Sequence, residues 1–376
     1  MEKSEEQLNK EAKELIEKIR NGKNIIPLIL KGYDVNMPYK GSLPLNEALV
    51  RGRYDVAKIL IEHGADTNAT DSCKAAPIVL AKKNKKMVAL LHKHGAYING
   101  ADDCGNTALF CTNESTLKYL VKNGANVNKQ NDYGYTALMG YAASLDVEAV
   151  KYLLEHGAHV NICSEEGNAL NLVAQELGVS DNAFHTRLDK ITEIIKCLVD
   201  AGIDLNHQDQ NGNTALHLAC MNNKAELVKY LIDKGADLNK QNDNGQNALG
   251  CVGGGTNPKI TKDLLEAGSD VNMQRKVISP SLISIAKDKY NEGNLENMKM
   301  LIEAGVNINI QESFSGKTPL IQAVRHNNKD FVKYLCGAGA DLRIKDDSGK
   351  TACDHAADRP EILEILRQET KQRGSR

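Results

Sequence analysis

The chain has 376 residues, 47 of them basic and 49 acidic, so its formal net charge is −2 at neutral pH. A charge this close to zero provides no overall field that would draw the chain to nucleic acid or to an anionic membrane. The longest apolar run, residues 25–30, contains a proline and is far too short to span a bilayer. We therefore expect neither nucleic acid binding nor membrane insertion.

The amino terminus, Met1-Glu2-Lys3-Ser4, lacks the apolar core of a secretory signal. The nine cysteines are scattered, odd in number, and form no CxxC pair. This pattern is typical of reduced thiols rather than of a disulfide framework. We expect a cytoplasmic protein, or one delivered to a host cytoplasm.

The first predicted element is a charged amphipathic helix over residues 5–20, with Leu8, Ala12, Leu15, Ile16 and Ile19 as its apolar stripe. After it a short phrase recurs ten times: Gly, a small residue, a polar residue, an aliphatic residue and usually Asn. The phrase begins at Gly32, Gly64, Gly95, Gly124, Gly157, Gly202, Gly235, Gly268, Gly305 and Gly339. A period near 33 residues indicates supersecondary units that must stack to bury their apolar faces.

The clearest unit runs over residues 209–241. Gly212 supplies the positive φ of a tight turn, and Thr214 can cap a first helix that begins with Ala215. A second helix over residues 225–234 carries an apolar stripe, and Gly235 ends it.

Residues 212–219, followed by Gly235-Ala236-Asp237-Leu238-Asn239, resemble an ankyrin repeat. Similar openings begin at Gly105, Gly134, Gly245, Gly316 and Gly349, and the resemblance covers roughly residues 21–358. It implies antiparallel helix pairs with projecting β-hairpin fingers, a concave binding face, protein partners and no intrinsic catalysis. It also implies that His217 ties neighbouring turns together by hydrogen bonds. The hairpin asparagines of Leu120/Asn128, Leu153/Asn161, Leu198/Asn206 and Leu231/Asn239 resemble substrates of asparaginyl hydroxylase.

The predicted fold class is an all-α repeat solenoid, an ankyrin-like stack of helix-turn-helix units with β-hairpin fingers. We expect a capping unit over residues 1–40 and an array of about nine units over residues 41–347. A second capping unit over residues 348–376 would end in a polar, frayed tail from Arg367 onward.

Three repeats depart from the period. The interval of 29 residues before Gly124 lacks four residues between its helices, and the interval of 37 before Gly305 has four extra residues near Tyr290. Four residues is about one helical turn, so both changes are expected to alter helix length and to preserve the buried face. The interval of 45 before Gly202 carries an insertion near residues 175–189, which we place in the inter-helix loop.

Several polar groups suggest chemistry but fit structural roles better. His92 and His94 are two residues apart and so diverge on a helix, and no acidic or cysteine cluster completes a metal site. Cys353 is adjacent to Asp354 and His355, but neighbouring helical residues also diverge. Residues 253–255 do not match a phosphate loop, because no strand precedes them and the GxxxxGK[ST] spacing is absent. They predict a wider turn or a dent in the face. We expect no metal and no cofactor.

Candidate partner contacts are aromatic residues in the variable turns, because tyrosine offers a large contact area at low entropic cost. These are Tyr39, Tyr133, Tyr135 and Phe314, to which we add Arg51 and Lys83. Lys83 belongs to a basic patch with Lys82, Lys85 and Lys86, whereas neighbouring fingers carry Asp102, Asp103, Asp132, Glu165 and Glu166. This separation of charge could orient a partner. Tyr141 is expected to fill the space beside Gly140.

The sequence therefore predicts a monomeric, non-catalytic adaptor that binds one or more proteins. An alternative is a secreted effector of an intracellular bacterium or virus that binds host proteins. A third reading, an enzyme with its site in the insertion, is weak because fifteen residues can hardly build a preorganised pocket.

Overall fold

The computed structural model describes residues 3–72, 74–178, 184–273, 281–288 and 291–374. The chain divides into two compact units, Met1–Ala169 and Leu170–Arg376. In the first unit the helices are α1 (Glu5–Arg20), α2 (Ile26–Leu30), α3 (Pro44–Val50), α4 (Tyr54–Glu62), α5 (Pro77–Leu80), α6 (Lys85–Lys93), α7 (Glu114–Lys122), α8 (Ala137–Ala143) and α9 (Val147–Glu155). A short antiparallel hairpin joins β1 (Cys163–Ser164) to β2 (Gly167–Asn168).

The second unit follows the same pattern. Its helices are α10 (Ala169–Gln175), which starts at the boundary, α11 (Phe184–Asp200), α12 (Ala215–Met221), α13 (Ala225–Asp233), α14 (Pro258–Glu266), α15 (Ser281–Lys287), α16 (Glu292–Glu303), α17 (Pro319–Arg325), α18 (Lys329–Gly337), α19 (Ala352–His355) and α20 (Pro360–Gly374). Within each unit a short first helix packs on its own second helix and on the next first helix, as α3 does on α4 and α5 and α17 on α18 and α19. The buried layers consist mainly of Leu, Ile, Val and Ala.

Local capping explains the helix pair predicted for residues 209–241. The Thr214 hydroxyl caps the nitrogen of His217, and the Nδ1 atom of His217 accepts a hydrogen bond from the Thr214 nitrogen at 3.2 Å. The Nε2 atom of His217 then donates to the carbonyl of Gln246 in the next turn at 2.9 Å. Burial lowers the pKa of His217, which favours the neutral ring. The predicted tie between neighbouring turns is confirmed.

The asparagine that ends most phrases joins its repeat to the following one. Asn36 donates from Nδ2 to the Gly64 carbonyl at 3.0 Å and accepts from the Asp66 nitrogen at 2.7 Å. The same acceptor bond is made by Asn68, Asn99, Asn128, Asn206, Asn239, Asn272 and Asn309. Arg343 takes this position in the last finger, where it pairs with Asp341 of its own finger.

The shortened repeat departs from the expectation that only helix length changes. Residues 108–111 form turns, Cys111 has a φ of 53°, and no first helix is present between Gly105 and α7. The buried side chain of Tyr141 contacts the backbone of Thr112 here. Tyr141 therefore contacts the segment in which the first helix is absent.

The two longer repeats lengthen their second helices. α16 has 12 residues against nine in α13, in agreement with the expectation, although Tyr290 itself lies outside the described residues. The larger insertion is divided between a 3-10 turn at Glu176–Gly178 and α11, which has 17 residues. Its placement in a loop was therefore wrong from residue 184 onward, and residues 179–183 are outside the described part.

The glycine-rich segment forms the wider turn that was expected. The preceding first helix is reduced to a 3-10 turn at Leu249–Cys251. A Cβ atom on Gly254 would lie 2.2 Å from the Asp288 carboxylate, so glycine is required by close approach. Gly255 has a φ of 81° and donates to the side chain of Asn294 at 2.7 Å.

Helices α1 and α20 are the first and last helices of the described residues. α1 buries Ala12, Leu15, Ile16 and Ile19, whereas Leu8 is only half-buried. At the other end α20 buries Ile362 and Leu366 and continues to Gly374. The segment from Arg367, for which we expected a frayed tail, is helical as far as Gly374, where the described residues end.

Candidate interaction surface

Three consecutive finger turns of the first unit lie side by side, at residues 102–106, 131–135 and 163–168. The backbone nitrogen of Asp132 donates to the carbonyl of Cys104 at 2.9 Å, which joins the first turn to the second. The Nε2 atom of Gln130 donates to the carbonyls of Gly134, at 2.8 Å, and Cys163, at 3.4 Å, which joins the second to the third. The turns are thus held in a fixed row.

Tyr133 and Tyr135 lie in the middle turn but have different environments. Asn131 fixes both, since its Oδ1 atom accepts from their backbone nitrogens at 3.0 and 2.9 Å. Tyr133 is 65% exposed, and its pKa is raised by the charge of Cys104, by a hydrogen bond to it and by nearby aspartates. Tyr135 is half-buried and donates to the carboxylate of Glu166. Tyr133 is therefore available for contact, whereas Tyr135 joins two turns.

The same row of turns is acidic. Asp103, Asp132, Glu165 and Glu166 are exposed, and none of the four forms an ion pair with a Lys or Arg in the described ranges. For Tyr135, burial and the bond to Glu166 raise the pKa to about 12. The phenol thus remains a neutral donor beside these carboxylates.

Two candidate residues lie at the start of the first unit. Tyr39 is half-buried in a turn whose backbone pairs with Ser42, and the Nζ atom of Lys40 lies 5.7 Å from its ring centroid. Arg51 forms an ion pair with Glu47, which Arg20 also contacts at 3.1 Å. Burial acts to raise the pKa of Glu47, but the two arginines outweigh it and the pKa is lowered. Arg51 therefore already has a partner.

Lys83 lies in an exposed basic turn. The carbonyls of Lys82 and Lys83 accept hydrogen bonds from Thr112 and Asn113 of the shortened repeat. The Lys83 side chain is exposed, and Lys85 and Lys86 occupy the first turn of α6, where the helix dipole disfavours cations. This patch lies in the same unit as the acidic turns.

In the second unit Phe314 is 64% exposed on the turn before α17. The Nζ atom of Lys287 lies 5.7 Å from its ring centroid and also contacts the buried carboxylate of Glu312. Phe314 therefore combines an exposed aromatic face with an adjacent cation.

Comparison with known families identifies the repeats. A family model described as "Ankyrin repeats (3 copies)" matches residues 110–183, 185–275 and 282–373, and one described as "Ankyrin repeat" matches residues 40–72. These matches cover more than half of the chain. The chain belongs to the ankyrin repeat family.

The chain is similar to short parts of longer ankyrin repeat proteins. It is 42% identical over 62 residues to ankyrin repeat and SAM domain-containing protein 6 of Rattus norvegicus, which is 16% of this chain and 7% of that protein. An ankyrin repeat protein of Acanthamoeba polyphaga mimivirus is 27% identical over 188 residues, 49% of this chain and 19% of that protein. The ankyrin repeat domain of Bcl-3, described as a member of the IkappaB family, matches with a TM-score of 0.49 and 23% identity, covering 60% of this chain and 99% of that one.

Sequence reasoning missed three exposed residues of this ankyrin repeat chain. Val50 and Met221 end the first helices α3 and α12 and are both exposed, at the same helical position. Aligning the first helices would have revealed two apolar residues at a position that holds Lys287 and Arg325 elsewhere. Tyr97, 72% exposed, replaces the Asp or Asn that forms a turn in most other phrases.

The polar groups weighed for chemistry have structural partners. Asp102, Asp103 and Cys104 lie close enough to hold a metal, but Asp102 already accepts from the nitrogens of Cys104 and Asn106. His92 contacts the Tyr119 hydroxyl at 3.1 Å. Burial raises the pKa of Cys353, which disfavours the thiolate that a nucleophile needs. Among the described residues no helix is long and apolar enough to cross a membrane.

Proposed function

We propose that this chain is a non-catalytic scaffold that binds partner proteins through its fingers and the exposed ends of its first helices. Tyr39, Arg51, Lys83, Tyr133, Tyr135 and Phe314 are the proposed contacts, joined by Val50, Tyr97 and Met221. The chain acts as a cytoplasmic monomer without a cofactor, with caps over residues 1–40 and 348–376 around an array over residues 41–347.

The exposure of Tyr133 on a fixed turn carries this proposal. Its backbone is held by Asn131, and the turn is joined to both neighbouring turns. A partner that packs on its ring therefore orders little of this chain, so little entropy opposes binding. Tyr135 supports the same surface by holding Glu166 in place.

Quantitative affinity capture from the native host tests the proposal, with the full chain and its Tyr133→Ala variant. The variant is expected to recover at least one protein in clearly lower yield, since tyrosines at interface centres often dominate binding. Leu30→Ala is the matched control, because Leu30 is an exposed apolar residue on α2 that is not among the proposed contacts. Equal recovery by all three chains, or losses with Leu30→Ala alone, contradicts the proposed surface.

A second candidate function is that of an effector of an intracellular bacterium or virus that binds host proteins. The similarity to a mimivirus protein over 49% of this chain favours it. A reporter fused to the carboxyl terminus and followed during infection tests the idea. Signal in the host cytoplasm supports delivery, and signal confined to the producing cell or particle contradicts it.

A further inference from the structure

The turn that carries Phe314 is one residue longer than its counterpart before α12. In that counterpart the nitrogen of Asp209 donates to the carbonyl of Asn213 at 2.9 Å. In the longer turn the nitrogen of Glu312 donates to the carbonyl of Lys317 at 3.0 Å, so the closed loop holds one more residue. Glutamate also stands where the shorter turn has aspartate.

The carboxylate of Glu312 is buried and well partnered. It accepts hydrogen bonds from the Ser315 hydroxyl at 2.6 Å and the Gln322 amide at 3.1 Å, and it forms an ion pair with Lys287. A buried carboxylate is tolerated only when such partners replace water. This network fixes the longer turn to both α15 and α17.

The fixed turn presents an aromatic ring beside cations. Phe314 is exposed above Lys287. Lys317 follows in the same turn, and Arg325, exposed at the end of α17, touches Gln322 at 3.4 Å. Neither Lys317 nor Arg325 forms an ion pair with any residue that the structure describes.

The surroundings of His326 support a positive local potential. Its pKa is lowered first by burial and then by the charges of Arg325 and Lys287. Asp347, on the next turn, lies against Gly316 and donates its nitrogen to the Ser315 carbonyl at 3.2 Å without pairing with these cations. We call Phe314, Lys287, Lys317 and Arg325 the Phe314 surface.

We infer that the Phe314 surface binds an acidic protein segment in which carboxylates flank an apolar side chain. The apolar side chain packs on the exposed ring of Phe314, and the carboxylates pair with Arg325 and Lys317. The three cations of the Phe314 surface are too few for a nucleic acid backbone, whose binding is built from many phosphate contacts. This inference rests on the proposed scaffold function and specifies the chemistry of one partner.

Peptide selection on the full chain tests the inference. The probe is a phage-displayed library of random peptides of about twelve residues, long enough to cover one or two fingers. We expect the enriched peptides to be rich in Asp and Glu next to Leu, Ile or Phe. Binding of the enriched peptides, made synthetically, is then measured by isothermal titration calorimetry.

Single substitutions locate the site of binding. Arg325→Glu and Phe314→Ala are each expected to weaken binding by about tenfold or more, which corresponds to about 1.4 kcal/mol. Arg325→Lys should retain most of the affinity. Lys122→Glu is the matched control, because it removes an exposed cation at the end of α7 in the other unit, outside the proposed contacts, and it should change affinity less than about twofold. Circular dichroism spectra confirm that each variant is folded.

Three results would overturn the inference: enriched peptides without acidic bias, affinities unaffected by Arg325→Glu and Phe314→Ala, or no enrichment at all. If the enriched peptides lose affinity for the Tyr133→Ala variant and not for the Phe314→Ala variant, the Phe314 surface is refuted. The scaffold proposal is unaffected by that result. The scaffold proposal itself fails only if the host capture experiment shows no dependence on the finger residues.

Discussion

The phenolic oxygen of Tyr141 lies 3.0 Å from the backbone nitrogen of Thr112 and 3.3 Å from its carbonyl oxygen. One side chain thus satisfies both polar groups of a residue in the preceding repeat. Burial is the main cause that raises the pKa of Tyr141, so the hydroxyl remains protonated and able to donate. The repeat without a first helix depends on its neighbour for this support.

Replacing Tyr141 by Phe tests this dependence. The change leaves the ring in place but removes both hydrogen bonds to buried backbone groups, so we expect a loss of about 1–3 kcal/mol. Urea unfolding followed by circular dichroism measures it. Tyr97→Phe removes a hydroxyl from an exposed ring and should have no measurable effect; a similar loss in both variants would contradict the assigned role.

His217 should make stability depend on pH. Its pKa is lowered in the folded chain, so the unfolded chain binds the proton more readily. The contribution of neutral His217 to the free energy of unfolding is therefore complete above the unfolded-state pKa of about 6.5. It decreases as the pH falls from there toward the lower pKa of His217 in the folded chain.

His217→Asn is the variant that isolates this effect. Asn46 and Asn171 occupy the matching positions of α3 and α10 and donate to carbonyls of the following segment. We expect the variant to keep most of the stability at pH 7 and to lose less than the wild type between about pH 6.5 and 5. An unchanged pH profile of the unfolding midpoint would show that another group controls it.

The asparagines that end the phrases and accept a hydrogen bond from the following repeat form a ladder, which predicts unequal effects at matching positions of two fingers. Asn239 accepts from the Asp270 nitrogen of the next repeat at 2.8 Å, so Asn239→Ala should cost about 1 kcal/mol. Arg343→Ala removes an exposed ion pair within one finger and should cost less than about 0.5 kcal/mol. Equal losses in thermal unfolding would contradict a role of the ladder in joining repeats.

Two glycines should respond to alanine in opposite directions. Gly254→Ala places a Cβ atom 2.2 Å from the Asp288 carboxylate and should destabilise the chain by about 1–3 kcal/mol. Gly140→Ala, inside α8 with no atom within 4 Å, should stabilise it by about 0.5–1 kcal/mol. Adding Asp288→Gly should recover part of the Gly254→Ala loss in chemical unfolding.

Features set by nearby residues could be predicted from the sequence. The helix pair of residues 209–241, the Thr214 cap and the glycine turns depend on contacts within a few positions. The absent helix near Cys111 could not be predicted in this way, because the side chain that contacts this segment, Tyr141, lies about one repeat further along the chain. Likewise, helix α20 depends on burial of Ile362 and Leu366, which composition alone does not reveal.

For the candidate surface, too, the sequence predicted positions but not contacts between distant residues. Variable turn positions identified Tyr133 and Phe314, both of which are exposed. The contacts of Tyr135 with Glu166 and of Arg51 with Glu47 could not be predicted, because sequence spacing does not show which side chains meet in the folded chain. Exposed Val50 and Met221 are visible only once their helices are compared position by position.

Arg343 also bears on how such an array could be enlarged. Its neighbours upstream offer a side-chain amide to the unit that follows, whereas a guanidinium has no acceptor with which to receive a backbone N–H. A repeat added by tandem duplication after this finger would lack that hydrogen bond. It would also have to pack beside the long helix α20. Engineered extension would therefore require asparagine at this position and a shorter terminal helix.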